Sequence, residues 1–459
     1  MSVTLRAAAV GLSLALLATS CARLPAPRPA QPPPVTTPGE KPAPPVTPVS
    51  DPTPGTALPG GEPIIDVGLA WDLDSLELLP DTGVSLASSS RDRDLPRWRA
   101  GGPVRIVLRA GSAEVSVPGA EEARSPFILV PGDTLWMGQD SFRPTATGRG
   151  IRWAGKSWRA GFKLFINPRG KLTLVAHVPL ETYLLGVVPL EIGGLTKDLV
   201  EAGRAQAIAA RSYTLFYRGR RASEGFDLYG TVEDQVYGPV ESERPLATEC
   251  VEQTRGRVAL YDGQPIRANY CSTCGGISAE VWEAWPAGAL PYLESRRDGD
   301  RGGDFCASSP QYRWRERWTE EEFLDDLERF GPRQGLQLPP DGLGDLVDVR
   351  AEARSRSGRV WRLLVRTTTG EVTIPAYAIR GVLRRGGNPG AILRSNLFKI
   401  DVRRHPVTGR ALEVVASGAG AGHGVGLCQT GALGMARGGA TAAEILEHYY
   451  PHIEIQRLY

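Results

Sequence analysis

The chain has 459 residues, and its 53 Lys and Arg nearly balance its 51 Asp and Glu, which leaves a formal net charge of +2. This length suits two or three domains. The small net charge and the lack of basic tracts argue against a dedicated nucleic-acid-binding protein, because such proteins usually carry a strong basic excess. We therefore expect no nucleic-acid partner.

Residues 1–21 have the features of a bacterial export signal. Arg6 supplies a positive charge, residues 7–17 form an apolar run too short to span a bilayer, and small residues precede Cys21. The pattern resembles a lipoprotein signal, which predicts that Cys21 is lipidated and anchors the protein to a membrane. Ala18 stands where that pattern usually has leucine. Ordinary secretion is the alternative, and both interpretations export the protein.

Residues 22–63 are dominated by Pro, Ala and Thr and have little apolar surface to pack. Prolines stiffen such a segment into extended spans of about 3 Å per residue. We predict a disordered tether that holds a folded body away from the membrane. The expected location is the cell envelope. Ala22 is not the aspartate that commonly retains lipoproteins at an inner membrane, so in a host with two membranes we expect an anchor in the outer membrane that faces the periplasm.

Residues 64–155 are predicted to form a β-rich N-terminal part. Short apolar alternations separated by turn residues continue through it, with strands expected at 104–108, 113–117 and 134–137, and no helix is expected before about residue 183. The remaining part, 156–459, is predicted to be the main domain. It opens with a hairpin of residues 163–166 and 172–175 around the turn at 167–170.

The main domain is predicted to mix helices with further strands. After Gly194 a helix is indicated by mostly small residues at three- and four-residue spacing: Ala205, Ile208, Ala209, Ser212 and Leu215. A helix with an acidic start is expected at 319–330, and a last helix at 441–449, where Thr441 and Glu444 have the spacing of a capping box. Strands are expected at 347–351, 360–367 and 371–374, inside a region of about 310–415 that we predict is inserted or accessory. The predicted fold class is α+β and rich in strands.

Glu191 is the candidate catalytic residue. It lies between Pro189 and the pair Gly193-Gly194, residues that break regular structure, so we predict that its side chain is on a loop before the small-residue helix. General acid-base catalysis by a carboxyl group needs a raised pKa, which spacing does not reveal. From spacing alone, a solvated glutamate is the simpler interpretation.

Three separated motifs favour the catalytic interpretation of Glu191 over the solvated one. They are VPLETYLLGVVPLEI with AQAIAARSYTL at 178–215, ANYCSTCGGISAE at 268–280, and GHGVGLCQTGALGMARGGATAAEILEHYYP at 422–451. Together and in this order they resemble the stage II sporulation protein D and LytB family of bacterial cell-wall proteins. The resemblance extends over roughly residues 64–459.

The resemblance implies a lytic transglycosylase that cleaves peptidoglycan glycan strands between N-acetylmuramic acid and N-acetylglucosamine, with a preference for strands stripped of their stem peptides. The product carries a 1,6-anhydro ring. The family's catalytic acid corresponds to Glu191. One carboxyl group suffices in this chemistry, because the C6 hydroxyl of the muramic acid serves as nucleophile, whereas a hydrolase normally needs two carboxylates. No cofactor is needed for the chemistry.

Other residues of the motifs are assigned weaker roles. In the third motif, Gly424 and Gly426 permit close backbone approach to a ligand, and His423 and Gln429 could hydrogen-bond sugar groups; the simpler interpretation is a glycine-rich turn with a satisfied histidine. Glu181 is predicted to be a structural acid near a helix start, and Arg211 and Ser212 are predicted to support packing. The alternative function is a non-catalytic wall-binding protein that enhances a partner amidase.

Five cysteines remain besides Cys21, an odd number for an exported protein, and Cys250 lies away from the motifs. Cys271 and Cys274 form a C-x-x-C pair, and Cys428 stands where many relatives carry serine. If the second and third motifs meet in the fold, Cys271, Cys274, Cys306 and Cys428 could bind a structural zinc ion, as some relatives are thought to do with cysteine and histidine. Disulfides, such as Cys274 with Cys306, and free buried thiols are the alternatives.

Overall fold

The structure, a computed structural model, describes residues 61–80, 84–89, 97–117, 126–138 and 150–459. The predicted export signal, the lipidation site Cys21 and nearly all of the predicted tether lie outside the described residues. Within the described ranges, no helix combines the length and apolar character needed to cross a membrane.

The first part of the described chain consists of short strands. In chain order these are β1 (Ile64–Leu73), β2 (Ser75–Pro80), β3 (Val84–Ser89), β4 (Arg97–Ala100), β5 (Val104–Arg109), β6 (Ser112–Ser116), β7 (Phe127–Leu129), β8 (Thr134–Gly138), β9 (Ile151–Trp153), β10 (Lys156–Trp158), β11 (Gly161–Ile166) and β12 (Leu172–Pro179). The predicted strands at 104–108, 113–117 and 134–137 and the hairpin of β11 and β12 are confirmed, each within a few residues.

Two sheets share this part of the chain. One has the order β13-β1-β12-β11-β8-β3-β4, in which β13 is Leu228–Tyr229, and the other has the order β10-β9-β2-β5-β6-β7. Alternate side chains of both sheets, such as Leu78 and Leu135, are buried in one hydrophobic core. Because β1 pairs with β12 from Ile64 opposite Pro179 to Leu73 opposite Leu172, the larger sheet contains strands from both sides of residue 155.

Three helices come after β12 in the chain, and the first of them contacts β1 and β12. They are α1 (Leu180–Glu191), α2 (Val200–Tyr217) and α3 (Pro245–Gln253), followed by the strands β14 (Arg257–Tyr261), β15 (Gln264–Pro265) and β16 (Tyr270–Cys271). The predicted small-residue helix is α2, which is buried on almost all sides and contacts α1, α3 and β14. Close approach requires its small side chains: a Cβ atom on Gly203 would lie 2.7 Å from the sulfur of Cys250 in α3.

A second hydrophobic core lies inside the region predicted as accessory. After β17 (Gly299–Asp300) and β18 (Gly303–Asp304) come β19 (Arg313–Thr319), α4 (Glu320–Phe330), β20 (Leu346–Arg354), β21 (Val360–Thr367), β22 (Glu371–Pro375), α5 (Ala376–Val382), β23 (Arg384–Arg385), β24 (Asn388–Ile392), β25 (Phe398–Arg404) and β26 (Ala411–Ala419). The sheets β19-β26-β25 and β20-β21-β22, with α4 and α5, enclose a core that contains Trp318, Phe323 and Leu363.

The chain then returns to the first core through β27 (Leu427–Cys428), α6 (Gln429–Arg437), α7 (Ala442–Tyr449) and β28 (Glu454–Arg457). Both α6 and α7 contact α2. Thr319 before α4 and Thr441 before α7 form the N-terminal capping boxes that their sequences indicate, with Glu322 and Glu444. The predicted strand-rich α+β class is confirmed.

One buried ion pair ties α1 to α2. Nε and Nη2 of Arg211 donate to the two oxygens of Glu181, at 2.8 and 2.7 Å, and the Tyr459 hydroxyl donates to the same carboxylate at 2.6 Å. Burial alone would raise the pKa of Glu181, but the hydrogen bonds and charge of Arg211 outweigh it and hold that pKa below its usual value. Ser212 accepts from the backbone N–H of Ala259 at 2.9 Å, which attaches α2 to β14. The structural roles predicted for Glu181, Arg211 and Ser212 agree with these contacts.

We expect Glu181→Gln to lower the free energy of unfolding by about 3–5 kcal/mol, because it leaves the buried Arg211 without its counter-charge. Urea unfolding at pH 7 measures this. The matched control is Glu77→Gln, which breaks the exposed pair of Glu77 with Arg105 and should cost about 1 kcal/mol or less. Equal losses in the two variants would contradict the structural role of the Glu181 pair.

Candidate functional site

Glu191 is the last residue of α1, so the prediction that it lies on a loop is wrong. The helix continues through Pro189, which lacks only the N–H that would bond to the carbonyl one turn earlier. Burial of Val187, Val188 and Pro189 against the core outweighs the tendency of the proline to end the helix. The irregular segment begins after Glu191, where Gly193 adopts a left-handed conformation with φ of 77°.

The Glu191 carboxyl group is half-buried and contacts three polar groups. The backbone N–H of Val236 donates to Oε1 at 2.9 Å, and the side-chain amide of Gln429 donates to Oε2 at 3.3 Å. The Tyr270 hydroxyl forms the third hydrogen bond. Glu191 therefore meets residues of the second and third sequence motifs, as well as a loop between the motifs.

Gly186 in α1 allows this loop to approach. A Cβ atom at residue 186 would lie 2.5 Å from the carbonyl oxygen of Gly238, and the N–H of Gly238 donates to the carbonyl of Gly186 at 3.1 Å. The loop is thereby held against the helix, with the N–H of Val236 directed at Glu191. A glycine that looks unremarkable in the sequence thus positions one of the groups that bind the carboxyl.

A chain of hydrogen bonds orients the Tyr270 hydroxyl. Thr214 donates to the carbonyl of Ala210 at 2.8 Å, so its oxygen accepts from the Gln235 amide nitrogen at 2.7 Å. The Gln235 amide oxygen then faces Tyr270 and accepts from its hydroxyl at 2.9 Å.

The environment of Glu191 favours its neutral form. Burial raises the pKa of this carboxyl above its usual value, although hydrogen bonds from Val236, Gln429 and Tyr270 oppose the rise. None of its hydrogen-bonding groups among the described residues is a carboxylate or a cation. This is the opposite of Glu181 at the other end of the same helix. Glu191 therefore keeps its proton to a higher pH than a solvated glutamate would, as a general acid requires.

His423 is linked to the Glu191 carboxyl group through one residue, Tyr270. Its Nδ1 accepts from the N–H of Val425 at 3.0 Å, its ring lies 4.7 Å from that of Trp285, and it bonds to the backbone of Tyr270. Burial, together with the charges of Arg380, Arg359 and Arg267, lowers the pKa of His423 to about 3. His423 is therefore neutral at physiological pH.

The glycines of the third motif make room for protein groups. A Cβ atom on Gly424 would collide with the guanidinium of Arg359, and one on Gly426 would lie 2.9 Å from the Tyr450 ring. Both residues have positive φ, 83° and 71°. Their conformation and the space beside them serve internal packing, and contact of Gly424 or Gly426 with a substrate stays a prediction.

The second and third motifs lie side by side. β16 and β27 pair in parallel, with Tyr270 opposite Leu427 and Cys271 opposite Cys428, and Ala279 forms a bridge with Val425. The pairing places Tyr270 and Gln429, both neighbours of Glu191, next to the cysteines. The condition on which the zinc prediction depended, that these motifs meet, is thus fulfilled.

Four buried groups could hold a metal ion: Cys274, Asp298, Cys306 and Cys428, whose ligand atoms all lie within 4.8 Å of one another. Cys271, predicted as a ligand, is not among the four. The sequence analysis missed Asp298. The five cysteines among the described residues carry free thiols, so the predicted disulfide alternative is not present among them. Cys250 is buried beside α2, away from this cluster.

The donor set fits a tetrahedral cation. The sulfur atoms of Cys274 and Cys306 are 3.9 Å apart, close to the roughly 3.8 Å that zinc–sulfur bonds of about 2.3 Å give in a tetrahedron. Oδ1 of Asp298 accepts from the Tyr449 hydroxyl at 2.5 Å, while the buried Oδ2 has no hydrogen-bond partner among the described residues. Burial raises the pKa of Asp298 to about 8. A buried, unpaired carboxylate oxygen beside three thiols is the arrangement that a cation would stabilise.

One of the residues that sequence reasoning missed left a signal, and two did not. Tyr270 directly precedes Cys271 in the second motif, so the motif itself could have indicated it. Asp298 lies outside all three motifs, eight residues before Cys306, where an acid is ordinarily solvated. Val236 acts through its backbone N–H, which every residue except proline carries, so no residue type could have indicated it.

Comparisons with known proteins agree with these motifs. A family model described as stage II sporulation protein matches residues 168–261, which include Glu191 and Val236. A second model, described as a domain of unknown function (DUF8618), matches residues 301–426, which include most of the second core.

Curated relatives match the chain over much of its length. Stage II sporulation protein D of Bacillus subtilis is 27% identical over 296 residues, which cover 61% of this chain and 75% of that protein. An uncharacterised protein of Brachyspira hyodysenteriae is 27% identical over 303 residues, or 64% of this chain and 71% of that protein. An amidase enhancer of Bacillus subtilis is 26% identical over 306 residues, which cover 58% of this chain but only 39% of the enhancer. These matches relate the chain to the stage II sporulation protein D family.

Proposed function

We propose that this protein is a peptidoglycan lytic transglycosylase with Glu191 as its catalytic acid and base. The observation that carries the proposal is the pairing of a raised pKa with an accessible position: burial favours the protonated carboxyl, yet the group remains half-buried at the end of α1. The family supports a role in the cell wall.

The proposed reaction needs one proton carrier. Glu191 donates its proton to the glycosidic oxygen while the bond from that oxygen to C1 of N-acetylmuramic acid breaks, and the N-acetylglucosamine leaves as an alcohol. The C6 hydroxyl of the muramic acid then bonds to C1 and returns its proton to Glu191. The product is a 1,6-anhydro ring, no water is consumed, and the carboxyl group regains its initial state.

Two other acids, one on α1 and one on the loop before Val236, are committed to other tasks. Glu181 is ion-paired with Arg211, and Asp234 accepts from Arg220 at 3.0 Å and from the N–H of Tyr229 at 2.9 Å. A hydrolase with two carboxylates would need a second free acid beside the first. The described residues that bond to Glu191 include no such group, which favours the substrate hydroxyl over water as the nucleophile.

The second candidate is a non-catalytic wall-binding protein that enhances an amidase. The relative named as an amidase enhancer favours it, since that similarity covers 58% of this chain. Retention of a protonatable Glu191 favours the enzyme, because binding alone places no demand on that carboxyl. Either function places the protein in the cell envelope, and anchoring through a lipid on Cys21 remains part of the proposal.

We also propose that Cys274, Asp298, Cys306 and Cys428 hold a structural zinc ion. Four protein ligands leave no position for a catalytic water, so the ion would supply stability and no step of the reaction. It would fix the strand pairing of β16 and β27 close to Tyr270 and Gln429, both of which contact Glu191.

The first prediction concerns Glu191→Gln, which keeps the shape of the side chain and removes its transferable proton. We expect the formation of 1,6-anhydromuramic products from stripped glycan strands to fall by about 100-fold to 10,000-fold, the contribution usual for general acid-base catalysis. Mass spectrometry of the products measures this. The matched control is Glu77→Gln, because Glu77 belongs to an exposed ion pair with Arg105 and lies far from the motifs in the sequence. Undiminished product formation in Glu191→Gln, or no product formation by the native protein, would contradict the proposed enzymatic function.

A second prediction follows from the direction of the Glu191 pKa shift. Because its folded pKa lies above the unfolded value, ionisation destabilises the native state as pH rises through that interval. Glu191→Gln should therefore melt at a higher temperature than the native protein at pH 8, and the difference should shrink at pH 4, where both states hold the proton. Calorimetry at pH 4, 6 and 8 tests this. A difference that does not change with pH would show that the carboxyl is not perturbed by burial.

The third prediction concerns the metal. Protein purified without chelator should contain about one zinc ion per chain, and Asp298→Asn and Cys428→Ser should each lose it and melt at a lower temperature. Cys271→Ser and the distant Cys250→Ser are the matched controls and should retain zinc. Metal analysis and thermal melts provide the two measurements. Loss of zinc in Cys271→Ser with retention in Asp298→Asn would show that the ligand set is wrong.

A further inference from the structure

Aromatic side chains extend from Tyr270 to an arginine. The ring centroids of Tyr270 and Tyr213 are 6.1 Å apart, and those of Tyr213 and Tyr217 are 4.5 Å apart. The guanidinium of Arg267 lies over Tyr217, 5.6 Å from its ring centre. Tyr270 bonds to Glu191, so this series begins at the proposed catalytic group.

A second series returns from the arginine to Tyr270. Arg267 also lies over Trp285, 4.9 Å from its ring centre, and Trp285 contacts His423 at 4.7 Å. His423 bonds to the backbone of Tyr270. The contacts therefore form a closed series that passes through Arg267 and begins and ends at Tyr270.

Arg267 lacks a counter-charge. Its Nε donates to the Asn269 side chain at 2.9 Å, its other two side-chain nitrogens make no hydrogen bond within the described residues, and no carboxylate there lies within 4 Å of it. Arg220 and Arg221 nearby differ, because both are paired with the buried Asp234, at 3.0 and 3.5 Å. A half-buried guanidinium with two free donor nitrogens is ready to receive an external anion.

Its surroundings reinforce the positive charge. Arg359 donates to the carbonyls of Cys274 and Ile277, and Arg380 donates to the carbonyl of Leu393 at 2.9 Å, so neither charge is neutralised by an acid. Both charges, with that of Arg267, contribute to the lowered pKa of His423. The charges that act on His423 are therefore all positive, which favours an anionic ligand beside it.

We propose that Arg267 binds the lactyl carboxylate of an N-acetylmuramic acid residue whose stem peptide has been removed. This carboxylate is the anionic group of a stripped glycan strand, and it recurs once in every disaccharide. In an intact strand the same carboxyl is an amide without charge, which cannot form the paired, charge-assisted hydrogen bonds that a guanidinium makes with a carboxylate. Arg267 would thus select stripped strands. The proposal rests on the proposed function for the identity of the glycan.

The test measures binding in the Glu191→Gln protein, which should leave the strands uncut. One probe is peptidoglycan glycan stripped by an amidase, and the matched probe is the same glycan with its carboxylates converted to methyl amides. A third probe is the intact strand, whose stem peptides carry carboxylates elsewhere. Titration calorimetry at 0.1 M salt should show that stripped glycan binds about tenfold more tightly than its methyl amide. The intact strand should resemble the amide.

Substitutions assign the preference to Arg267. Arg267→Gln should remove the tenfold difference, and Arg267→Lys, which keeps the charge without the paired donors, should retain part of it. The control is Arg333→Gln, since Arg333 also lies over an aromatic ring, that of Phe330 in the second core, and it should leave the preference unchanged. Melting temperatures verify that each variant is folded.

The outcomes separate this proposal from the proposed function. A preference that survives in Arg267→Gln, equal affinity for the two stripped probes, or no measurable binding would overturn the role of Arg267. Preference for the intact strand would point instead to a carboxylate of the stem peptide. If the preference depends on Arg267 but the protein with native Glu191 forms no anhydro product, the enzymatic assignment fails while the binding site stands.

Discussion

A carboxyl group that must hold a proton near neutral pH has to be removed from water without gaining a cationic partner. The two glutamates of α1 are removed from water in different ways. Glu181, at the start of the helix, is paired with Arg211 and is held in its charged form, which serves stability. Glu191, at the end, has hydrogen bonds from an amide, a hydroxyl and a backbone N–H, none of them charged. The protonation state of Glu191, and with it the proposed chemistry, depends on this absence of charge among the groups that bind it.

The surrounding fold holds these neutral groups in place. Val236 reaches Glu191 because Gly186 lets the loop lie against α1, and Tyr270 is oriented through Gln235 and Thr214 of α2. Gln429 follows Cys428, so it is positioned by the pairing of β27 with β16. The small residues of α2 permit the close packing that brings these elements together, which explains why that helix is rich in alanine.

Charge is distributed in a pattern that suits the proposed substrate. Near the carboxyl group the site is neutral, whereas the wall around Trp285 and His423 carries three arginines without acidic partners among the described residues. A glycan with one carboxylate in each disaccharide could place its sugar rings near Glu191 and its anion near Arg267. Keeping the cations away from Glu191 also avoids lowering its pKa, so recognition of the anion and proton donation do not oppose one another.

Local rules in the sequence determined the strand-rich α+β class, the capped helices α4 and α7, the strands of the second core and the order of the three motifs. Alternation, capping and turn signals act over a few residues, so they predict local structure without knowledge of the tertiary fold. Glu191 was identified only through its motif, and its place in a helix was mispredicted because burial outweighed the local effect of Pro189. Tertiary structure alone decided the partners of Glu191, the place of Asp298 instead of Cys271 in the candidate metal-binding cluster, and the lack of a carboxylate partner for Arg267 among the described residues. The reason is distance along the chain: Val236 and Gln429 are 45 and 238 residues from Glu191, and only packing brings such groups into contact.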